Sequence, residues 1–128
     1  MALVLVIDDD ASMRRMTRRI LEGRGHTVIE ADDGGRGLDI FAEQHPELVI
    51  TDIVMPDKEG IGTILDIRKL DAQVGIIAIS GGGVNVGLGY LKVATRMGAT
   101  AALAKPFMPV ELLEVVDSVL GGQAAPPH

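Results

Sequence analysis

The sequence predicts a single doubly wound α/β domain, on three observations. Five short runs rich in Val and Ile lack alternation of polar and apolar residues, which is typical of parallel strands covered on both faces. The segments between these runs carry apolar residues at helical spacing. Strand and helix patterns alternate along the chain five times, which favours a five-stranded parallel sheet with five helices and right-handed crossovers.

Each predicted element can be placed along the chain. The strand runs are Leu3–Ile7, Thr27–Glu30, Leu48–Thr51, Val74–Ser80 and Ala101–Ala104. The apolar residues at helical spacing, expected to face the core, are Met13, Met16 and Ile20; Leu38, Phe41 and Ala42; Ile61, Ile64 and Leu65; and Leu112, Val116 and Val119. Gly23, Pro46 and Gly121 mark helix ends, and Pro109 suits the first turn of the last helix.

The composition fits one globular domain and excludes several kinds of site. The chain has 128 residues, of which 47% are apolar, enough for a hydrophobic core. It has no Cys, and its widely separated histidines (His26, His45, His128) lack metal-ligand spacing and are expected at the surface. A net charge of −6 argues against direct nucleic-acid binding. The one basic cluster, expected to face solvent, comprises Arg14, Arg15, Arg18 and Arg19.

The two ends of the chain bear on localisation and domain boundaries. The longest wholly apolar run, residues 1–7, is too short to span a membrane and lacks the features of a signal peptide. We therefore expect a cytoplasmic protein without membrane attachment. Residues 1–121 are expected to form the domain, and residues 122–128 a flexible tail.

Charged and polar side chains stand where the predicted strands end. They are Asp8, Asp9 and Asp10 after the first strand, Asp52 after the third, Ser80 at the end of the fourth and Lys105 after the fifth. In doubly wound sheets, ligands bind at the carboxyl ends of the strands, near the switch in strand order. We therefore expect these residues to gather at one edge of the sheet.

This set of residues indicates phosphoryl chemistry. Carboxylates that converge repel each other unless a cation offsets their charge, and hard oxygen ligands with water suit Mg²⁺. Lys105 adds a fixed positive charge, and the Ser80 hydroxyl can donate to an oxyanion. Such a site lets one carboxylate attack phosphorus while the cations offset the charge. The nucleophile is expected to be Asp52, which the central strand sets deepest.

The same residues carry a family resemblance. The opening VLVIDDDASMRR, the segment VITDIVMPDKEG, the strand end at Ser80, and Lys105–Pro106 followed by Phe107 resemble the receiver domain of two-component response regulators. The resemblance covers roughly residues 3–120 and points to a stand-alone, chemotaxis-regulator-like receiver. It implies a flavodoxin-like sheet with strand order 2-1-3-4-5 and a cis peptide bond before Pro106.

The resemblance also implies a role for each matching residue. Asp52 would be the phosphoacceptor, with Lys105 and Ser80 contacting its phosphoryl group. The residues that would hold Mg²⁺ are Asp8, mainly through water, Asp9, Asp52 and the backbone carbonyl of Val54. A histidine kinase or histidine phosphotransfer protein would donate the phosphoryl group, and a downstream protein would receive the signal. Such a domain catalyses only its own phosphorylation and dephosphorylation, so it is a signalling module and not an enzyme.

Two departures from the family pattern concern the output of the signal. The aromatic residue usual three positions before the lysine is replaced by Ala102. The segment between Ser80 and Lys105 is longer than usual and rich in glycine. We therefore expect phosphorylation to act by ordering residues 81–90.

Two alternative functions remain open. Asp8 and Asp10, after an apolar strand, also resemble the opening motif of haloacid-dehalogenase-type phosphatases, with Asp8 as nucleophile and Asp10 as general acid. Asp10 can equally be the N-cap of the first helix. The second alternative is a degenerate receiver that binds partners without being phosphorylated, although every residue expected for phosphorylation is present.

Overall fold

The described part of the chain forms five strands and five helices. A computed structural model describes residues 2–53, 59–80, 92 and 94–121. The strands are β1 (Leu3–Ile7), β2 (Thr27–Ala31), β3 (Leu48–Asp52), β4 (Gly75–Ser80) and β5 (Ala101–Ala104). The helices are α1 (Ala11–Gly23), α2 (Gly34–Gln44), α3 (Glu59–Leu70), α4 (described at residues 92 and 94–97) and α5 (Pro109–Leu120).

All five strands are parallel, and their order is β2-β1-β3-β4-β5, which confirms the doubly wound fold and its order. The register places Ile50 of β3 between Val6 of β1 and Ile77 of β4. The chain moves outward from β1 to β2 and then returns to the other side of β1 as β3. The switch in strand order therefore lies between β1 and β3, where such sheets form their binding crevice.

The core lies on both faces of the sheet. On β1, Val4 and Val6 pack on the face covered by α1 and α5, whereas Leu5 and Ile7 pack on the face covered by α2 and α3. Successive side chains of a strand point to opposite faces, so a strand buried on both needs a continuous apolar run. The runs of the sequence are therefore explained by this two-sided burial.

The helix faces differ in part from the prediction. Phe41, Ile64 and the three predicted residues of α5 are buried, but Met16, Ala42 and Leu65 are exposed. Buried positions that the spacing missed include Thr17 and Leu21 in α1, Gly34 and Gly37 in α2, Thr63 and Ile67 in α3, and Val115 in α5. Small side chains let a helix approach the sheet closely, and a Cβ atom added to Gly37 would collide with Ile7. A count of large apolar residues does not detect such contacts.

His26 is buried, whereas the sequence predicted it at the surface. Its Nδ1 atom accepts a hydrogen bond from the backbone N–H of Ala2, 3.1 Å away, at the start of β1. His45 is exposed as expected, and His128 lies outside the described residues. His26 therefore has a structural contact at the amino-terminal edge of the sheet, opposite the carboxyl ends of the strands.

Two further predictions concern the chain ends and membranes. Residues 122–128, the predicted tail, lie outside the described residues, so the boundary at residue 121 stays a prediction. Among the helices that the structure describes, none combines the length and hydrophobicity that a membrane crossing needs.

Candidate functional site

Three acidic side chains meet at the carboxyl edge of β1 and β3. Asp8 follows β1 and Asp52 is the last residue of β3, and one carboxylate oxygen each from Asp8, Asp9 and Asp52 lies within 4.8 Å of the others. Asp8 and Asp52 are both 6% exposed, whereas Asp9 faces solvent. The strand order thus brings together the three carboxylates that the sequence placed at one edge.

Lys105 supplies a positive charge to this cluster. Its Nζ atom lies 2.8 Å from Oδ2 of Asp52 and 3.2 Å from Oδ2 of Asp8. The backbone N–H of Lys105 donates to the carbonyl of Ser80, 2.8 Å away, which extends the pairing of β4 and β5 by one step. The peptide bond from Lys105 to Pro106 is cis, as predicted.

Among the described residues, the acidic side chains of the cluster outnumber its basic one. Burial raises the pKa of Asp8, and the nearby charge of Asp52 adds to this effect, while the Asp10 N–H and Lys105 oppose it. Burial acts to lower the pKa of Lys105, but its hydrogen bonds and ion pairs with Asp52 and Asp8 outweigh burial and raise that pKa. Lys105 therefore stays protonated, and one ammonium group is shared by two buried carboxylates.

The surplus negative charge and the donor atoms fit a divalent cation. Mg²⁺ prefers hard oxygen ligands and usually keeps several water molecules. Asp8 and Asp52 offer buried carboxylate oxygens, and the exposed Asp9 leaves one side of the cluster open to solvent. The residues present therefore match the chemistry of a magnesium site.

Three further hydrogen bonds hold Asp8 in place, two at its backbone and one at its side chain. Its N–H donates to the carbonyl of Ala31 on β2, at 3.1 Å, and its Oδ1 atom accepts from the N–H of Asp10, at 2.9 Å. Its carbonyl oxygen accepts from Nη1 of Arg14, at 2.7 Å. Sequence reasoning missed Arg14, which it assigned to a solvent-facing cluster; the only available signal was the acidic Glu30 at the end of the neighbouring strand.

Asp10 belongs to the helix and not to the acidic cluster. Its Oδ1 atom accepts from the backbone N–H groups of Ser12, at 2.9 Å, and Met13, at 3.3 Å, as an N-cap does. A phosphatase of the haloacid-dehalogenase type would need this carboxyl as a general acid beside its nucleophile. The capping contact therefore disfavours the phosphatase alternative.

Ser80 is a buried hydroxyl at the same edge. It is the last residue of β4 and is 1% exposed, and its Oγ atom has no hydrogen-bond partner within the described part of the chain. Strand β4 lies between β3, which ends at Asp52, and β5, which is followed in the chain by Lys105. Buried hydroxyl groups nearly always have a partner, so this hydroxyl is available to donate to an oxygen atom of a bound group.

The family of the chain follows from a match over most of its length. A family model described as the response regulator receiver domain matches residues 4–117. The chain belongs to that family. Its members are signalling domains of two-component systems. The fold, the acidic edge and the lysine therefore belong to a receiver.

Known receivers share the sequence and the fold over nearly the whole domain. The chemotaxis protein CheY of Bacillus subtilis is 35% identical over 118 residues, which cover 91% of this chain and 96% of CheY. A probable transcriptional regulator, ycf27 of Porphyridium aerugineum, is 39% identical over 117 residues, 91% of this chain but 47% of that protein. The receiver thus spans about half the length of ycf27 and almost all of CheY.

Solved structures agree with this assignment. A CheY-like receiver domain protein from Methanospirillum hungatei superimposes with a TM-score of 0.85 at 29% identity, covering 96% of each chain. A two-component response regulator of the LuxR family from Aurantimonas sp. gives a TM-score of 0.89 at 28% identity, covering 98% of this receiver and 89% of that chain.

Some predicted features of the receiver cannot be placed. Val54, whose carbonyl the resemblance assigns to the metal, and the glycine-rich residues 81–90 lie outside the described residues. Their roles stay predictions. Ala102, which stands where the family usually has an aromatic residue, is half-buried and packs against the core on the α2 and α3 side.

Proposed function

We propose that this receiver accepts a phosphoryl group on Asp52 from a histidine kinase or a histidine phosphotransfer protein. The observation that carries the proposal is the contact of Lys105 with both Asp52 and Asp8, at 2.8 and 3.2 Å. Lys105 holds Oδ2 of the buried Asp52 carboxylate at hydrogen-bond distance, and an aspartate carboxylate can act as the nucleophile in such a transfer. The same cation is placed to offset the charge of an incoming phosphoryl group.

The transfer would need little from the protein beyond position and charge. A carboxylate oxygen of Asp52 forms a bond to phosphorus, and the bond between phosphorus and the imidazole nitrogen of the donor breaks. The electron pair of that bond stays on the nitrogen, so a donor that is protonated at its other ring nitrogen leaves as neutral histidine, and Asp52 becomes an acyl phosphate. Lys105 would then contact a phosphoryl oxygen. The buried Ser80 hydroxyl, which has no partner among the described residues, would donate to another.

Mg²⁺ is the cofactor that this proposal includes. Asp8 through water, Asp9, Asp52 and the carbonyl of Val54 would hold it, and when bound it would offset the negative charge that develops on the phosphoryl oxygens. The buried Asp8 and Asp52 would supply most of the protein's charge to the ion, and Asp9 would bind from the solvent side.

The remaining parts of the proposal concern place and partners. We expect the receiver to act in the cytoplasm and to signal through contact with a downstream protein. The net charge of −6 makes direct contact between this domain and nucleic acid unfavourable. Residues 1–121 would form the signalling domain, with residues 122–128 as a flexible extension.

The proposal is tested by phosphoryl uptake from a small donor. The purified protein is incubated with acetyl phosphate and Mg²⁺, and its intact mass is measured. Asp39→Asn, an exposed aspartate on α2, is the matched control for Asp52→Asn. We expect the wild type and Asp39→Asn to gain one phosphoryl group, and Asp52→Asn or the wild type with chelator to gain none.

Two other outcomes would replace the proposal. If Asp8→Asn removed the adduct while Asp52→Asn kept it, the protein would be a phosphatase with Asp8 as nucleophile. If the wild type took up no phosphoryl group from acetyl phosphate or from a phosphorylated histidine kinase, it would be a receiver that binds partners without phosphorylation.

A further inference from the structure

We propose, on the basis of the function above, that Arg14 is a positioning residue, which fixes the peptide group between Asp8 and Asp9 and so orients the two carboxylates that would hold Mg²⁺. Nothing in the family resemblance assigned this role, and the sequence placed Arg14 on a solvent-facing surface. The inference comes from its contacts in the folded protein.

Arg14 connects the acidic edge to the neighbouring strand. Its Nη1 atom donates to the carbonyl oxygen of Asp8 at 2.7 Å, and its Nε atom lies 2.9 Å from Oε1 of Glu30 on β2. The side chains of Arg14 and Glu30 are 18% and 23% exposed, so both are largely shielded from solvent. A planar guanidinium group can make these two contacts at once, which a lysine ammonium cannot do with the same geometry.

The contact at the Asp8 carbonyl acts on both metal-binding residues. The carbonyl of Asp8 and the N–H of Asp9 belong to one rigid, planar peptide group. A hydrogen bond that fixes this carbonyl therefore fixes the direction in which the chain enters Asp9. The Asp9 side chain is exposed and little restrained by packing, so the backbone sets the direction from which its carboxylate reaches the site.

Glu30 keeps Arg14 in place. Its Oε2 atom lies 2.7 Å from Nη1 of Arg18, while Oε1 is held by Arg14. The hydrogen bond from Arg18, helped by that from Arg14 and opposed by partial burial, lowers the pKa of Glu30, which keeps this carboxylate ionised near neutral pH. Arg14 and Arg18 are one turn apart on α1, but of the two only Arg14 contacts Asp8.

Arg14 acts on geometry and not on the charge of the site. The pKa of Asp8 is set by burial and by three neighbours, namely the Asp10 N–H, Lys105 and Asp52. Arg14 donates to a carbonyl and touches no carboxylate of the cluster. Its loss should therefore weaken Mg²⁺ binding without changing the rate of phosphoryl transfer once the site is saturated with Mg²⁺.

The test compares Arg14→Met with Arg18→Met. Each removes one cation from Glu30 and keeps an unbranched side chain on α1, so the loss of a Glu30 partner is common to both, and Arg14→Met alone also loses the contact with the Asp8 carbonyl. The dissociation constant of Mg²⁺ is measured by calorimetric titration, and phosphoryl uptake from acetyl phosphate is measured against Mg²⁺ concentration. Thermal unfolding without Mg²⁺ verifies that both variants are folded, and Arg14→Lys is the second variant if Arg14→Met is not.

We expect Arg14→Met to bind Mg²⁺ about 10-fold more weakly than the wild type, since residues that orient metal ligands have effects of this size. Half-maximal uptake should need correspondingly more Mg²⁺, with an unchanged rate at saturation. Arg18→Met should resemble the wild type, and Arg14→Lys should fall between.

Equal dissociation constants for Arg14→Met and Arg18→Met, in a protein whose wild type binds Mg²⁺, would overturn this inference and leave the proposed function intact. The inference would also be overturned if Arg14→Lys bound Mg²⁺ with the wild-type dissociation constant while Arg14→Met took up phosphoryl groups more slowly at saturating Mg²⁺. A wild type that neither binds Mg²⁺ nor takes up a phosphoryl group would overturn both.

Discussion

The Nζ atom of Lys105 lies 2.8 Å from Oδ2 of Asp52, although 53 positions separate the two residues in the chain. The contact exists because all five strands are parallel, so that residues at their carboxyl ends share one edge of the sheet. Asp8 shares the same ammonium group at 3.2 Å. Among the residues that the structure describes, one ammonium group thus contacts two buried carboxylates, and we expect this sharing to govern how the site responds to pH, to Mg²⁺ and to substitution.

Neutralising Asp8 should stabilise the metal-free protein at pH 7. Burial makes the ionised form of Asp8 unfavourable in the folded state, and asparagine has nearly the same shape and can still accept from the Asp10 N–H. We expect Asp8→Asn to raise the Tm by a few degrees in thermal unfolding without Mg²⁺. Asp52 is less suited to this test, because its neutralisation would also remove the shorter contact of Lys105.

The gain from Asp8→Asn should depend on pH with a defined sign. Below the ordinary pKa of 3.8, Asp8 is protonated in both the folded and the unfolded chain, and the two proteins should be equally stable. Because folding raises the pKa of Asp8, ionisation costs stability as the pH rises, and the cost is complete above the folded-state pKa. The difference in Tm should therefore grow with pH to a plateau; a difference that shrank with pH would contradict the assigned burial effect.

Mg²⁺ should stabilise the folded protein by mass action. An ion that binds only the folded state adds about 2.7 kcal/mol to the free energy of unfolding at 100 times its dissociation constant. We expect millimolar Mg²⁺ to raise the Tm of the wild type and to have little effect on Asp9→Asn.

Asp10→Asn is the matched control for this measurement, because it changes the next carboxylate and asparagine is an equally good N-cap. It should keep the full response to Mg²⁺. If both variants lost the rise in Tm with Mg²⁺ equally, Asp9 would not be a specific ligand of the ion.

Ser80→Ala should affect the Tm of the protein alone and its Tm with a bound phosphoryl mimic differently. The Ser80 hydroxyl is buried without a partner in the described part of the chain, so its removal should leave the Tm unchanged or slightly higher. With beryllofluoride and Mg²⁺, which mimic the phosphoryl group, the variant should gain less in Tm than the wild type. An equal gain in both proteins would mean that the hydroxyl does not reach the phosphoryl oxygens.

Two glycines on neighbouring helices should respond oppositely to alanine. A Cβ atom at Gly37 would collide with the buried Ile7, which directly precedes Asp8, so Gly37→Ala should lower the free energy of unfolding by about 1–3 kcal/mol. Nothing lies within 4 Å of a Cβ atom at Gly62 in α3, so Gly62→Ala should raise it by about 0.5–1 kcal/mol. Urea unfolding measures both, and a loss at Gly62 equal to that at Gly37 would contradict this account of α2 packing.

The sheet and the acidic edge could be predicted because they depend on local patterns. A strand buried on both faces has to be apolar throughout, and a parallel sheet brings residues such as Asp8 and Asp52 to one edge whatever the loops do. The strand bounds were correct to within one residue; β2 and β3 extend one residue further, to Ala31 and Asp52, and β4 begins one residue later, at Gly75.

The helix faces and the role of Arg14 could not be predicted in the same way. Met16 is exposed whereas Thr17 and Leu21 are buried, so the buried face of α1 is rotated away from the face that the spacing of Met13, Met16 and Ile20 indicates. Arg14 reaches Asp8 only because α1 folds back beside β2, where Glu30 holds it. Such contacts depend on three-dimensional geometry, and in the sequence Arg14 looks like its solvent-facing neighbours.

Assignment of the modified residue shows most directly whether Asp52 carries the phosphoryl group. The protein is phosphorylated with acetyl phosphate and Mg²⁺, reduced with borohydride, which converts an aspartyl phosphate to homoserine, and digested for peptide sequencing by mass spectrometry. We expect homoserine at position 52 and unmodified aspartate at positions 8, 9 and 10. Homoserine at position 8 with intact Asp52 would contradict this expectation.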